Sequence, residues 1–358
     1  MRILYIADIR GIGGLQNWAL GVAEACKKRG HEVSIVFPPG VNDEEVAKAV
    51  ATEIPVTSWK ISSFQSADIV HSFDGRFNFE LKRMMPKLPI VHTSSGASAA
   101  MFVALGRYLN FGWYLDLVRQ RRGLLQEAAG SRYADWVIAA SNKVMREISL
   151  YYRIPVSKIT VIHGGHWKQE INTDKSELRR KLGLPEHQRL ILFVGRPDPV
   201  KAFNSVLRSF QQLRSQRKDV VLVCAPPQGM DAEGVIGVEL PWHQMPELYY
   251  ACDMLVSASK YEGYSLAIHE AMAYGLPVII PDTVGIVDLC VNGENAIVLP
   301  RWNRFEQRLL EAMTRLLEDE SLRHRLGENA RRTMQHRTWE WVAQETEKVY
   351  ARALEKVK

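Results

Sequence analysis

The chain has 358 residues, 46% hydrophobic and 24% charged, with a formal net charge of +6. That length exceeds one ordinary hydrophobic core and suits two domains of roughly 170 residues each. The composition excludes a low-complexity or disordered chain, and no apolar run approaches the ~20 residues needed to span a bilayer.

Charge placement says more than its total. Residues 1–175 hold 22 Lys and Arg against 16 Asp and Glu, and the remainder is balanced at 24 of each. A basic face in the N-terminal half suits anionic lipid head groups or phosphorylated acceptors. Nucleic acid is disfavoured, because no basic run is interleaved with aromatic residues. Cys26, Cys224, Cys252 and Cys290 are far apart, without zinc or redox spacing, which points to a reducing, cytoplasmic compartment.

The opening run Met1 to Asp8 is too short for a signal peptide and reads as a strand. Strand-like runs continue at Glu32 to Phe37, Ile69 to Ser72, Ile90 to Thr93, Trp136 to Ala140 and Ile159 to Ile162, alternating with helical patterns. That alternation predicts a doubly wound parallel sheet. Between the first strand and the helix Gln16 to Arg29 lies Asp8-Ile9-Arg10-Gly11-Ile12-Gly13-Gly14, where glycines let backbone N–H groups approach an anion. A dinucleotide fingerprint would need a third glycine where Gln16 stands and an acid where Phe37 and Pro38 end the second strand. A longer helical region carries Phe111-Gly112-Trp113-Tyr114 and then Arg119, Arg121 and Arg122, and reads as a mobile flap or an acceptor-side wall.

After Trp167 a polar stretch marks a hinge before the helix Lys175 to Leu182. A second series of strands follows at Leu190 to Val194, Val220 to Cys224, Gly234 to Glu239, Met254 to Ser257, Pro277 to Ile280 and Ala296 to Leu299. The tail from Glu306 is helical, with apolar residues at three- and four-residue spacing. The expected domains are 1–168 and 169–342, with a last helix at about 343–358 crossing back to the first.

Two segments of the second half carry the chemistry. In Phe193-Val194-Gly195-Arg196-Pro197-Asp198-Pro199-Val200-Lys201 a strand ends in a loop with two cations five residues apart. Such a pair can stabilise the charge that develops on a departing diphosphate. The second segment, Tyr261 to Val278, loops through Gly263 and starts a helix near Ser265, a good N-cap residue. Free N–H groups at Ser265 and Leu266, added to the helix dipole, make an anion site there. Glu270 falls in the second helical turn beside Ala271 and Met272, where a carboxylate needs partners. A ribose diol supplies two hydroxyl donors. Glu262 on the loop is placed to accept hydroxyls of a transferred sugar.

This region resembles the two-glutamate signature of the retaining family 4 glycosyltransferases, which have the GT-B fold, and the similarity covers nearly the whole chain. Gly13 and Gly14 match the family's glycine loop, Arg196 and Lys201 its diphosphate-binding pair, and Glu262 and Glu270 its donor-binding glutamates. Ala134 to Ser141 and Trp339 to Tyr350 resemble its strand near the domain junction and its closing helix. The chain departs from the pattern where Ser95, in Val91-His92-Thr93-Ser94-Ser95-Gly96, replaces a usual histidine, and where His163-Gly164-Gly165 replaces Pro-Asn-Gly.

The resemblance implies two Rossmann-like α/β domains facing across a cleft. It implies retaining transfer of a hexosyl group from a nucleoside diphosphate sugar, UDP favoured over GDP, to a sugar, lipid-linked or small-molecule acceptor. Arg196, Lys201 and Glu262 would be catalytic. Gly13, Gly14, Gly195, Gly263, Tyr264, Ser265, Leu266 and Glu270 would bind the donor, and His92, Ser94 and Ser95 would line the acceptor side. Aspartates spaced two apart are absent, so neither metal nor cofactor is expected. His163, His166 and His269 lack the spacing of a zinc site. An epimerase, a phosphorylase or a silent binding protein on the same fold are the competing readings.

Overall fold

The central described strands, such as Ile69–Ser72, Val220–Ala225 and Val278–Pro281, are buried on both faces, the pattern of a parallel sheet with helices packed above and below. The computed structural model describes residues 1–10, 13–41, 53–106 and 111–357, with the backbone alone at 111–121. They divide into two compact units, Met1–Trp167 with Arg337–Lys358, and Lys168–His336.

The first unit carries β1 (Arg2–Ile6), β2 (Glu32–Val36), β3 (Val56–Thr57), β4 (Ile69–Ser72), β5 (Ile90–Ser94), β6 (Trp136–Ala139) and β7 (Ile159–Val161). The described strands form one sheet in the order β3-β2-β1-β4-β5-β6-β7. Every pairing is parallel, with β1 between β2 and β4. Strand order therefore reverses between β1 and β4. The helix Gly14–Lys28 follows β1, and its Gly21 lies so close to the Trp339 ring that a Cβ there would clash. The expected flap segment falls in the helix Phe111–Tyr133, and its side chains through Arg121 lie outside the described residues.

The last helix, Trp339–Val357, belongs to this unit. Its Tyr350 is fully buried and its hydroxyl meets Tyr5 Oη at 3.0 Å and His71 Nδ1 at 2.7 Å. His71 Nε2 continues the chain to Thr93 Oγ1 at 2.7 Å. Burial depresses the His71 imidazole to about 3, so the ring is neutral and these bonds join neutral groups. At the helix surface Glu347 accepts from Arg29 and lies 2.9 Å from His31 Nε2.

The second unit carries β8 (Arg189–Val194), β9 (Val220–Ala225), β10 (Val235–Gly237), β11 (Met254–Val256), β12 (Val278–Pro281) and β13 (Ile297–Leu299), in the order β10-β9-β8-β11-β12-β13. These are also parallel, and the reversal falls between β8 and β11. The core beneath them includes Phe193, Phe210, Leu222, Met254, Leu309 and Met313. Asp253, at the entry to β11, accepts from Lys175, Arg179 and the Leu190 amide. The Lys175 cation and those donors outweigh the burial cost and hold its carboxyl below the usual carboxylate range.

Candidate donor-binding site

Ligands of open parallel sheets bind beyond the carboxyl ends of the strands where the strand order reverses. In the second unit those ends are Val194 of β8 and Val256 of β11, and the loops that leave them are the two that hold the predicted cations and carboxylates.

The β8 loop is shaped by Asp198, whose Oδ1 accepts from the Val200 and Lys201 amides at 2.9 and 3.0 Å. Ala202 then takes a left-handed φ of 51° as the chain enters the helix Phe203–Gln216. The Lys201 stem lies against Gly195, where an added Cβ would come within 3.2 Å of it, so glycine there makes room for the lysine. Gly195 donates to Ala225 O at 3.0 Å, and its own carbonyl accepts from Gln228 Nε2 at 2.7 Å.

From the other loop Glu262 meets this lysine. Lys201 Nζ stands 2.9 Å from Glu262 Oε2, and the Ser259 hydroxyl donates to Oε1. Thr283 Oγ1 donates to Ser259 O at 2.6 Å, and Glu262 O accepts from the Gly285 amide at 3.1 Å. Both charges are largely shielded, with side-chain exposures of 21% for Lys201 and 13% for Glu262. Arg196 does not join them. Its side chain is 73% exposed and pairs loosely with Asp198 at 3.7 Å.

Gly263, Tyr264 and Leu266 are buried around the start of the helix Leu266–Ala273, and Ser265 occupies the N-cap position. The expected serine cap is corrected by the geometry: Ser265 has φ 112° and makes no side-chain cap bond. A non-glycine residue with that φ is strained. Tyr264 Oη lies 2.7 Å from His269 Nδ1 within the core.

One turn on, Glu270 is half-buried, and its Oε2 accepts from the Tyr249 hydroxyl at 2.9 Å. No described Lys, Arg or His lies within ion-pair distance of it. Burial raises its carboxyl to about 7, with the Tyr249 bond pulling the other way. Tyr249 stacks on Tyr274 with ring centroids 6.3 Å apart. The sequence reading missed Tyr249 and Ser259. Ser259 was signalled by the polar residues directly after β11, whereas nothing in the spacing links Tyr249 to Glu270.

In the first unit the reversal lies between β1 and β4. Gly13 holds the N-cap position in extended conformation, and a Cβ on Gly14 would meet open space. Gly11 and Ile12 lie outside the described residues. On β5, His92 is 4% exposed and its Nδ1–H donates to Ser72 O at 3.0 Å. Burial lowers its imidazole to about 4, which keeps it neutral. Ser94 is buried and donates to Gly96 O, whereas Ser95 is half-buried. Of the three, Ser95 is the least buried.

Residues 12–166 match the model of glycosyltransferase family 4, and residues 188–319 match that of the glycosyl transferases group 1. An uncharacterized glycosyltransferase of Methanocaldococcus jannaschii is 24% identical, over 97% of this chain and 96% of its own length. The D-inositol 3-phosphate glycosyltransferase of Corynebacterium glutamicum is 26% identical over 59% of this chain and 55% of its own. Among solved structures, Anabaena Alr3699/HepE in complex with UDP-glucose superposes with a TM-score of 0.76 at 17% identity, over 98% of this chain and 99% of that one. The two parallel α/β units thus have the GT-B fold.

Proposed function

Because the chain belongs to glycosyltransferase family 4, and so is a glycosyltransferase, we propose that it moves a hexosyl group from a UDP-sugar to an acceptor hydroxyl with retention and without a metal. The observation that carries this reading is Glu270. A half-buried carboxylate with one phenolic donor and no cation has acceptor capacity that a ribose diol would satisfy.

In this reading Glu270 binds the ribose, and Glu262 binds hydroxyls of the transferred sugar. Lys201, at the end of the β8 loop, stabilises the charge on the departing diphosphate, and Arg196 closes on it from solvent. Amides from Gly263 to Leu266 contact phosphate and sugar oxygens, while Tyr264 packs beneath the helix start and Gly195 makes room for the Lys201 stem. Because the cations would neutralise the diphosphate, no divalent ion is required. The departing phosphate oxygen takes the acceptor's proton, which dispenses with a separate general base. The acceptor lies on the side of Ser95, with His92 and Ser94 behind it. That the Anabaena relative holds UDP-glucose supports the choice of nucleotide. The basic N-terminal half supports contact with an anionic membrane or a phosphorylated acceptor.

Labelled UDP-hexoses offered with cell-extract acceptors, analysed by mass spectrometry, test the proposal. Acceptor-dependent transfer that survives EDTA and gives a product with the donor's anomeric configuration is expected. Conversion of the nucleotide sugar without an acceptor would instead favour an epimerase, and no binding of UDP or GDP would favour a silent protein.

A further inference from the structure

The helix Met245–Ala251 packs against the helix Leu266–Ala273. Tyr249 is 1% exposed, and its ring is held parallel to Tyr274 at an interplanar angle of 13°. Tyr274 follows Glu270 by four residues, which places it on the same face of that helix. The Tyr249 hydroxyl therefore has a fixed position and donates its proton to Glu270 Oε2 at 2.9 Å. A carboxylate has two oxygens, and the bond occupies only one. A glutamate held this way loses little side-chain freedom when a ligand arrives.

We propose that Tyr249 is a positioning residue for the nucleotide sugar: by holding Oε2 it presents Oε1 of Glu270 to a vicinal diol of the donor nucleoside. The proposal rests on the reading of Glu270 given above. A second effect runs in the same direction. The phenolic bond favours the ionised carboxylate against burial, and the ionised form is the one that accepts from two hydroxyls. Among the described residues, Tyr249 and Tyr274 are the titratable groups that face it, and burial raises both phenols, Tyr274 to about 12, so neither ionises in the working range. Loss of the Tyr249 hydroxyl should thus weaken binding and move its acid limb to higher pH.

The test is calorimetric titration of UDP-glucose between pH 6 and 9, since its pyrophosphate diester does not titrate there, with kinetics alongside. Tyr249→Phe, which keeps the ring, should raise the donor Kd and KM about 5- to 10-fold with kcat within twofold of wild type. Its pH midpoint for binding should rise. In a Glu270→Gln background the Phe substitution should add nothing, because the hydroxyl acts only through the carboxylate. Fluorination of Tyr249 makes the hydroxyl a stronger donor without changing the fold and should lower the midpoint. Wild-type affinity and midpoint in Tyr249→Phe, with binding weakened in Glu270→Gln, would overturn the positioning role alone. Wild-type affinity in Glu270→Gln would overturn the ribose assignment itself.

Discussion

The Lys201–Glu262 pair and the solitary Glu270 face opposite electrostatic situations. The first two side chains satisfy each other at 2.9 Å and are mostly shielded, so removing one leaves a charge uncompensated. Lys201→Ala should lower kcat by about 10²-fold, more than it raises KM, and should also lower the melting temperature. Arg196, being 73% exposed and loosely paired, contributes little to folding. Arg196→Ala should leave stability within about 0.5 kcal/mol of wild type while slowing turnover, which steady-state kinetics and a urea melt would separate. Glu270 titrates at about 7 in the folded chain against an ordinary 4.5, so the folded state binds the extra proton between those values. Its contribution to stability is full below about 4.5 and is lost as pH rises through 7. Glu270→Gln should therefore match wild type near pH 5 and exceed it by ~1 kcal/mol at pH 8, a value well below the full shift because the group is only half-buried. At this scale the sequence singled out Lys201 and Glu262, which the structure pairs. The Tyr249 hydroxyl beside Glu270 was not legible, because those two residues meet only when two helices pack.

Elements were more legible than contacts. Runs such as Leu190 to Val194 are apolar without alternation, and a strand buried on both faces has that pattern. The strand Val56–Thr57 went unread because two residues give no period to detect. At Ser265 the residue type suggested a cap, but the chain arrives with φ 112° and the side chain makes no cap bond. Tertiary geometry overrode the local preference there. Close helix contacts were equally hidden: a Cβ at Gly327, in the helix Glu320–Met334, would collide with the Gly275 carbonyl. That neighbour is backbone and cannot swing aside. Gly327→Ala should cost about 1–3 kcal/mol despite the better helix propensity of alanine, as read by denaturant unfolding. In the closing helix, Tyr350→Phe strips a hydroxyl from two buried partners, Tyr5 and His71. A loss of about 1–3 kcal/mol is expected in the same assay.

For the whole molecule, the alternation of strands and helices was enough to indicate two parallel α/β sheets, and both sheets are present. Strand order was not readable from any single segment. It emerges from pairing, and it places the cationic loop after β8 beside the carboxylate loop after β11. Acceptor identity is less legible because Ser95 departs from the family pattern. The donor claim can be tested without knowing the acceptor. Calorimetric titration of UDP-glucose into wild-type protein and into Glu270→Ala at pH 8 is the most direct measurement. Saturable binding by the wild type, weakened tenfold or more in the variant, is predicted. Equal affinity in the two proteins would contradict the account.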